Sequence, residues 1–457
     1  MADTIAAIST AGGVAAIGIV RLSGDDAIKI ATPIFVPEYG GSIENARDRS
    51  LILGKLLDKD GQVIDVCLCT VSRAPNSYTG ENTVEFQCHG SPLVLREALV
   101  SLFARGARQA QAGEFTKRAF LNGQLDLTQA EAVIDLIDAE TLDAARNAAG
   151  QVSGAMLSKT GVIYDELADI AAHYSAVIDY PDEDIEDFLL SAYELSLNDI
   201  KDRLQSLLDT FERGRIIKDG VRTAIIGRPN VGKSSLLNAL LGYDRAIVTE
   251  IPGTTRDTIE EKAIIGGVLL RLIDTAGIRE TADPIESMGV ERSLLAASEA
   301  ELILAVFDTS EPPSPEDFAT MNTAKAAPLS IAILNKSDLS PHPELVSLEL
   351  SGFGAICRVS AATGEGFDAL SRAVATMLPV SFDTVQGEML TNLRQAQAVE
   401  HALNAIVCAV EALNAGMTPD AVLSDVEAAM SALGELTGRI VTDDVVDRIF
   451  ERFCVGK

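Results

Sequence analysis

Gly227-Arg228-Pro229-Asn230-Val231-Gly232-Lys233-Ser234 is a complete glycine-rich phosphate-binding loop, and its flanks decide what it can do. The apolar run Ala224-Ile225-Ile226 before it reads as a strand. Ser235-Leu236-Leu237-Asn238-Ala239-Leu240-Leu241 after it reads as a helix. A strand delivers the chain to a turn whose backbone N–H groups face a phosphate, and the helix adds the positive end of its dipole. Lys233 is placed to reach the outer phosphates, and the Ser234 hydroxyl suits Mg²⁺. A Gly/Lys-rich surface turn would lack both flanking elements.

Four further segments extend the pattern. Asp274-Thr275-Ala276-Gly277 follows the apolar run Val268 to Ile273, where an Asp at a strand end suits the Mg²⁺ shell and a Gly N–H meets the terminal phosphate. Thr254-Thr255-Arg256-Asp257 lies between this run and the loop and offers a second hydroxyl to the metal. Asn335-Lys336-Ser337-Asp338 follows the strand-like Leu329 to Leu334, and its Asp accepts two hydrogen bonds from a guanine edge. Ser360-Ala361-Ala362 closes the series after Ala355-Ile356-Cys357. Five elements in this order resemble the GTPase superfamily, with guanine as the base. The candidate nucleotide set is Asn230, Val231, Gly232, Lys233, Ser234 and Ser235; Thr249, Glu250, Ile251, Pro252, Gly253, Thr254 and Thr255; Asp274, Thr275, Ala276 and Gly277; Asn335, Lys336 and Asp338; and Ser360 with Ala361. Many GTPases carry a water-orienting Gln after the Asp-x-x-Gly segment. Here Ile278 stands there, so hydrolysis needs another group: a partner, an ion, or one of Arg279, Glu280, Asp283 and Glu286.

The 457 residues suffice for about three domains. Hydrophobic content of 47% and charged content of 23% fit a soluble globular chain, and no run approaches the ~20 apolar residues of a spanning helix. Met1-Ala2-Asp3-Thr4 lacks the basic start of a secretion signal, so a cytoplasmic location is expected. Six scattered cysteines (67, 69, 88, 357, 408 and 454) agree with reducing surroundings, and Cys67-x-Cys69 reads as core packing rather than a metal pair. A net charge of −30 argues against broad nucleic-acid binding, which needs a basic footprint. Arg96, Arg105, Arg108, Lys117 and Arg118 read either as a modest local basic site or as a solvated face. Asp182 to Asp187, after Pro181, reads as an acidic helix start.

The expected fold is multidomain, α/β plus α. Residues 1–118 alternate as strands at Thr4–Ile8, Ala15–Val20, Val63–Val71 and Thr83–Cys88, with a helix from Pro92 to Arg105. Residues 119–218 are Ala-, Leu- and acid-rich, with an Ala130, Val133, Ile134, Ile137 stripe that predicts long helices. Residues 219–380 form the Ras-like P-loop domain. Residues 381–457 are helical again, with Leu393, Ala396, Val399, Ala402, Leu403 and Ile406 on one side. The economical arrangement is one helical domain with the nucleotide domain inserted into it.

Cys454-Val455-Gly456-Lys457, Pro75-Asn76-Ser77-Tyr78-Thr79-Gly80-Glu81, the run Gly113 to Asn122 and Gly253-Thr254-Thr255-Arg256-Asp257 complete a pattern across the chain that resembles the tRNA-modification GTPase MnmE (TrmE) family. The resemblance implies a GTPase that works with the FAD-dependent protein MnmG, in a heterotetramer or larger assembly, on C5 of the tRNA wobble uridine. The donor is a one-carbon folate, 5-formyl- or methylene-tetrahydrofolate. The N-terminal domain binds it and holds a homodimer, and K⁺ joins two GTPase domains. By the same resemblance K⁺ falls to Asn230, Thr249, Ile251 and Thr254, and Mg²⁺ to Ser234 and Thr255; Glu286 matches the catalytic Glu beside Asp274 and Lys233. Arg21, Glu85, Gln124 and Lys457 are the folate candidates, with Gln124 standing where the family often carries Lys or Arg. Cys454 is placed for nucleophilic chemistry, but sequence assigns it no base. A ribosome-assembly GTPase of the Era or EngA type is the alternative, although the chain shows neither a basic RNA module nor a second GTPase domain.

Overall fold

The computed structural model describes residues 3–179, 188–243, 261–273, 295–346, 350–378, 387–451 and 453–456. These fall into two compact units, Met1–Ile134 with Gln151–Lys201 and Ala398–Lys457, and Asp135–Gly150 with Asp202–Gln397. The acidic run Asp182 to Asp187 lies outside the described residues.

In the first unit, β1 (Ile5–Ile8), β2 (Ile17–Ser23), β3 (Phe35–Pro37), β4 (Leu51–Leu57), β5 (Val63–Ser72), β6 (Thr83–His89) and β7 (Arg108–Gln109) make one sheet in the order β3-β4-β5-β6-β2-β1-β7. All pairs are antiparallel except β1 with β7. Alternation supplies one apolar face: Val20, Leu22, Cys67, Cys69, Val71, Val84, Phe86 and Cys88 pack against Ala27, Ile30, Leu95, Leu99 and Leu102 of two helices. The helix Pro92–Phe103 starts with Pro at its first position, where a missing N–H costs nothing. Cys67 and Cys69 are core residues, as their alternation indicates. The Asp65 carboxylate beside Cys67 and Cys88 is occupied by the Val66 and His89 amides and His89 Nδ1. Leu51–Leu57 was not legible as a strand because Gly54 interrupts it. A Cβ at Gly54 would lie 2.5 Å from Phe35 Cζ, so this glycine makes room for a core ring rather than a turn.

The helical part of this unit packs Ala155–Asp179 along Pro419–Thr437. The Arg439 guanidinium lies 4.6 Å above the Tyr164 ring centre. Ala130, Val446, Phe450 and Phe453 form a core with Val133 and Ile134, while Ile137, the last member of the predicted stripe, is half exposed.

In the second unit, β8 (Val221–Ile226), β9 (Glu261–Ile265), β10 (Val268–Leu272), β11 (Leu302–Asp308), β12 (Leu329–Asn335) and β13 (Ala355–Arg358) lie in the order β13-β12-β11-β8-β10-β9. Only the β9–β10 pair is antiparallel. All seven residues of β11 are buried, the signature of a parallel strand covered on both faces. Val221, Ile225, Leu304, Val306 and Ile333 face one core with Leu236, Leu240, Leu370 and Val374. Ala224, Ile226, Ile303, Phe307 and Ala332 face the other with Met321 and Ala324. Each fully buried Leu, Ile or Phe contributes about 1.5–3 kcal/mol. Strand order reverses at β8, and the crevice beyond the strand ends at such a point is where α/β sheets bind ligands. Among the described residues no helix is long and apolar enough to cross a membrane.

Candidate functional site

The phosphate loop leaves β8 at this switch point, and the helix Lys233–Tyr243 starts at its end. Its shape rests on backbone that few residues adopt. Gly232 has φ +98°, and a Cβ there would lie 2.2 Å from Asn335 Nδ2. Asn230 takes the left-handed region at φ +63°, which Asn tolerates better than most residues. Lys233 Nζ donates to the carbonyls of Gly227 at 2.8 Å and Arg228 at 2.9 Å, so the ammonium closes the loop on itself. Burial pushes its pKa down. Ser234 and Ser235 lie in the first turn of the helix.

The segments 335–338 and 360–361 meet the loop through one side chain. Asn335 Nδ2 donates to Val231 O at 2.8 Å, while its Oδ1 accepts from Ala361 N at 3.1 Å. Ser360 Oγ donates to Asp338 Oδ1 at 2.6 Å, which orients the carboxylate. Lys336 sits at φ +61° with its ammonium 2.5 Å from buried Asp308. The fold therefore gathers 227–234, 335–338 and 360–361 at the ends of β8, β12 and β13. Thr249, Glu250, Ile251, Pro252, Gly253, Thr254, Thr255, Asp274, Thr275, Ala276, Gly277, Ile278 and Glu286 lie outside the described residues.

In the first unit, Arg21 on β2 and Glu85 on β6 stand opposite each other, with Arg21 Nε donating to Glu85 Oε1 at 2.6 Å. The guanidinium lies 5.6 Å from the Tyr78 ring centre and 5.7 Å from that of Phe115. Gln124 is exposed and borders Gly80, whose added Cβ would lie 3.3 Å from Gln124 Cγ. The chain's last described residues are pinned to the same unit. Val455 bridges Ala112, Cys454 O accepts from Gly113 N at 3.3 Å, and Gly456 packs on Ile8 O. Cys454 is exposed; Lys457 lies outside the described residues.

The reading of the basic cluster with Arg108, Lys117 and Arg118 as a solvated face needs correction at Arg118. Arg118 is buried and donates to Glu81 Oε2 at 3.0 Å, Glu114 Oε1 at 3.0 Å and Asp3 Oδ1 at 2.7 Å. Arg108 pairs with Asp3 and Glu114, and Lys117 with Asp447. Burial works against Glu114 ionising, but Arg108, the Gln111 amide and Arg118 outweigh it and hold the carboxyl below its usual range. Glu81, Gln111, Glu114, Lys117, Arg118 and Asn122 line a cavity of about 360 Å³. No local pattern announces this cluster, because Arg118 meets Asp3 across 115 residues and Glu81 across 37.

Two family models match the chain: "MnmE helical domain" over residues 127–454 and "GTP-binding protein TrmE N-terminus" over residues 4–124. The chain is 43% identical over 456 residues to the tRNA modification GTPase MnmE of Symbiobacterium thermophilum, covering 100% of this chain and 99% of that protein. It is 42% identical over 457 residues, at 100% and 99% coverage, to the protein of the same name from Clostridioides difficile. Among solved structures, a variant of Aquifex aeolicus Era bound to GDP and aluminium fluoride is 28% identical and covers 41% of this chain and 67% of that one, but its TM-score of 0.26 is too low to bear on function. Identity at this level over the full length, together with both family models, shows that the chain belongs to the MnmE family of tRNA modification GTPases.

Proposed function

We propose that this protein hydrolyses GTP to GDP and phosphate in a K⁺-dependent manner. With an FAD-dependent MnmG-type partner, it adds an aminomethyl or carboxymethylaminomethyl group at C5 of the tRNA wobble uridine. The observation that carries the GTPase reading is the Asn335 bridge, which fastens the phosphate loop to the guanine-reading segments with one side chain. Backbone N–H groups of the loop and Lys233 hold the phosphates, Asp338 reads the base, and Ser360 and Ala361 brace it. Ser234, at a helix start, offers the hydroxyl oxygen that Mg²⁺ takes, with Thr255 completing the pair. Asn230, whose backbone bends out of the usual region, offers an amide oxygen for K⁺ beside Thr249, Ile251 and Thr254. When bound, K⁺ supplies the positive charge that an arginine finger supplies elsewhere. Glu286 orients the water that Ile278 cannot, and Asp274 supports the metal shell.

A one-carbon tetrahydrofolate, 5-formyl or methylene, binds the domain at residues 1–118, which also forms the homodimer. The Arg21–Glu85 pair suits it: a carboxylate accepts from a pterin's amino edge, and the guanidinium and the Tyr78 ring flank the same spot. Gln124 and Lys457 complete that set. The helical domain comprises 119–218 and 381–457, with the GTPase domain at 219–380 between them, and the protein resides in the cytoplasm. Matches to both the TrmE N-terminal model and the MnmE helical model disfavour an Era- or EngA-type ribosome-assembly GTPase. The test is Glu286→Ala in the full chain: GTP still binds, and K⁺-stimulated hydrolysis is lost. Near-normal turnover would end the assignment of Glu286. Absence of folate binding together with absence of a K⁺ effect would return the Era-type alternative.

A further inference from the structure

The phosphate loop is bordered by acids, which is unexpected beside a site for a polyanion. Asp308 is only 2% and Asp317 only 1% exposed, and Glu311 lies in the loop that follows β11. Asp317 belongs to the capping box of the helix Pro315–Lys325: its Oδ2 accepts from Ser314 N at 2.9 Å and from Ser314 Oγ at 3.0 Å. Lys336 covers Asp308. Arg228, the second residue of the loop, covers the other two. Its Nη2 donates to Glu311 Oε2 at 2.7 Å, and its Nε lies 3.1 Å from Asp317 Oδ2. The Arg228 side chain is only 16% exposed and Asp317 is buried, so the contact between them is weakly screened, whereas Glu311 meets solvent. The carbonyl of the same residue accepts from Lys233 Nζ. One residue thus seats the phosphate-reaching lysine with its backbone and neutralises the neighbouring acids with its side chain.

We infer that Arg228 is a positioning and charge-screening residue: it ties the phosphate loop to the start of the helix Pro315–Lys325 and cancels the field of Glu311 and Asp317, so that the loop accepts a nucleotide. This rests on the GTP reading and adds a condition to it. A neutral side chain at 228 leaves two carboxylates without their cation beside the phosphate loop, and the repulsion of a bound polyanion grows with phosphate charge and shrinks with salt.

The experiment measures the affinity of the full chain for a fluorescent GDP and a non-hydrolysable GTP analogue, at low and high salt, in Arg228→Gln, Arg228→Lys, Glu311→Gln and the double variant Arg228→Gln with Asp317→Asn. Arg228→Gln is expected to weaken binding about tenfold at low salt, with the GTP analogue losing more than GDP and the gap closing at high salt. Arg228→Lys restores most of the affinity, and so does Asp317→Asn in the Gln background, because it removes the uncovered charge. Glu311→Gln alone, at an exposed acid that the fold does not need, tightens binding about twofold. Equal losses for GDP and the GTP analogue at every salt concentration would show a shape defect only and overturn the inference. So would unchanged affinity in both Arg228→Gln and Glu311→Gln. Failure of the unaltered chain to bind either nucleotide would instead sink the GTP reading itself.

Discussion

The phosphate loop and the N-terminal charge cluster are held in opposite ways. The phosphate loop is made of backbone: one contiguous stretch, a glycine at φ +98°, an asparagine at φ +63°, and a lysine resting on two carbonyls. The N-terminal cluster is made of side chains: Asp3, Glu81, Arg108, Glu114 and Arg118 come from distant segments and satisfy one another. A site of the first kind tolerates changes that leave the main chain alone and fails when a Cβ intrudes. A cluster of the second kind fails when one charge loses its partners, because Glu81, Glu114 and Arg118 are largely buried.

That contrast can be broken from either side. Arg118→Ala takes from Glu81 its only cation among the described residues and leaves Glu114 to Arg108 and the Gln111 amide, so the unfolding transition of the first unit is expected to lose about 3 kcal/mol, read by urea denaturation with a probe in that unit. Lys233→Ala leaves the fold in place and lowers GTP turnover by about 10²–10³-fold at saturating nucleotide. Gly232→Ala drives a methyl group into Asn335 and strains the loop by about 1–3 kcal/mol, seen as weaker nucleotide binding and a lower melting temperature, while Arg118-dependent stability is untouched. Glu85→Gln keeps its hydrogen-bonding oxygen but loses its charge, so folate binding falls about tenfold and GTP turnover stays put.

The smallest expected effect is a pH effect. Because the folded-state pKa of Glu114 is depressed, its pairing stabilises the fold fully above the ordinary carboxylate range of about 4.3 and is lost as pH falls through the folded value. Urea midpoints of the first unit therefore drop on the acid side of pH 4, and Glu114→Gln flattens that slope.

How much of this could be read in advance follows from the same contrast. The loop, its strand and its helix were legible because every determinant is contiguous, from Ala224 to Leu241. So were the buried alternations of β5 and β6. β2 begins two residues later than expected and runs on to Ser23, which places Arg21 within a strand and opposite Glu85. The strand β4 hid behind Gly54, whose purpose is Phe35. Leu393 sits on a helical stripe yet is exposed, since periodicity marks a face without saying where cover ends. Arg108 and Arg118 looked like surface charges because their partners lie as far away as residue 3. Nothing local marks Arg228, because the two acids that give it its surroundings lie 83 and 89 positions later.

The most direct test of the whole account is the rate of GTP hydrolysis by the full chain in KCl against NaCl at equal ionic strength, with Asn230→Ala measured alongside. The account predicts turnover about tenfold faster in KCl and no such difference in Asn230→Ala. Equal rates in the two salts for the unaltered chain would contradict it.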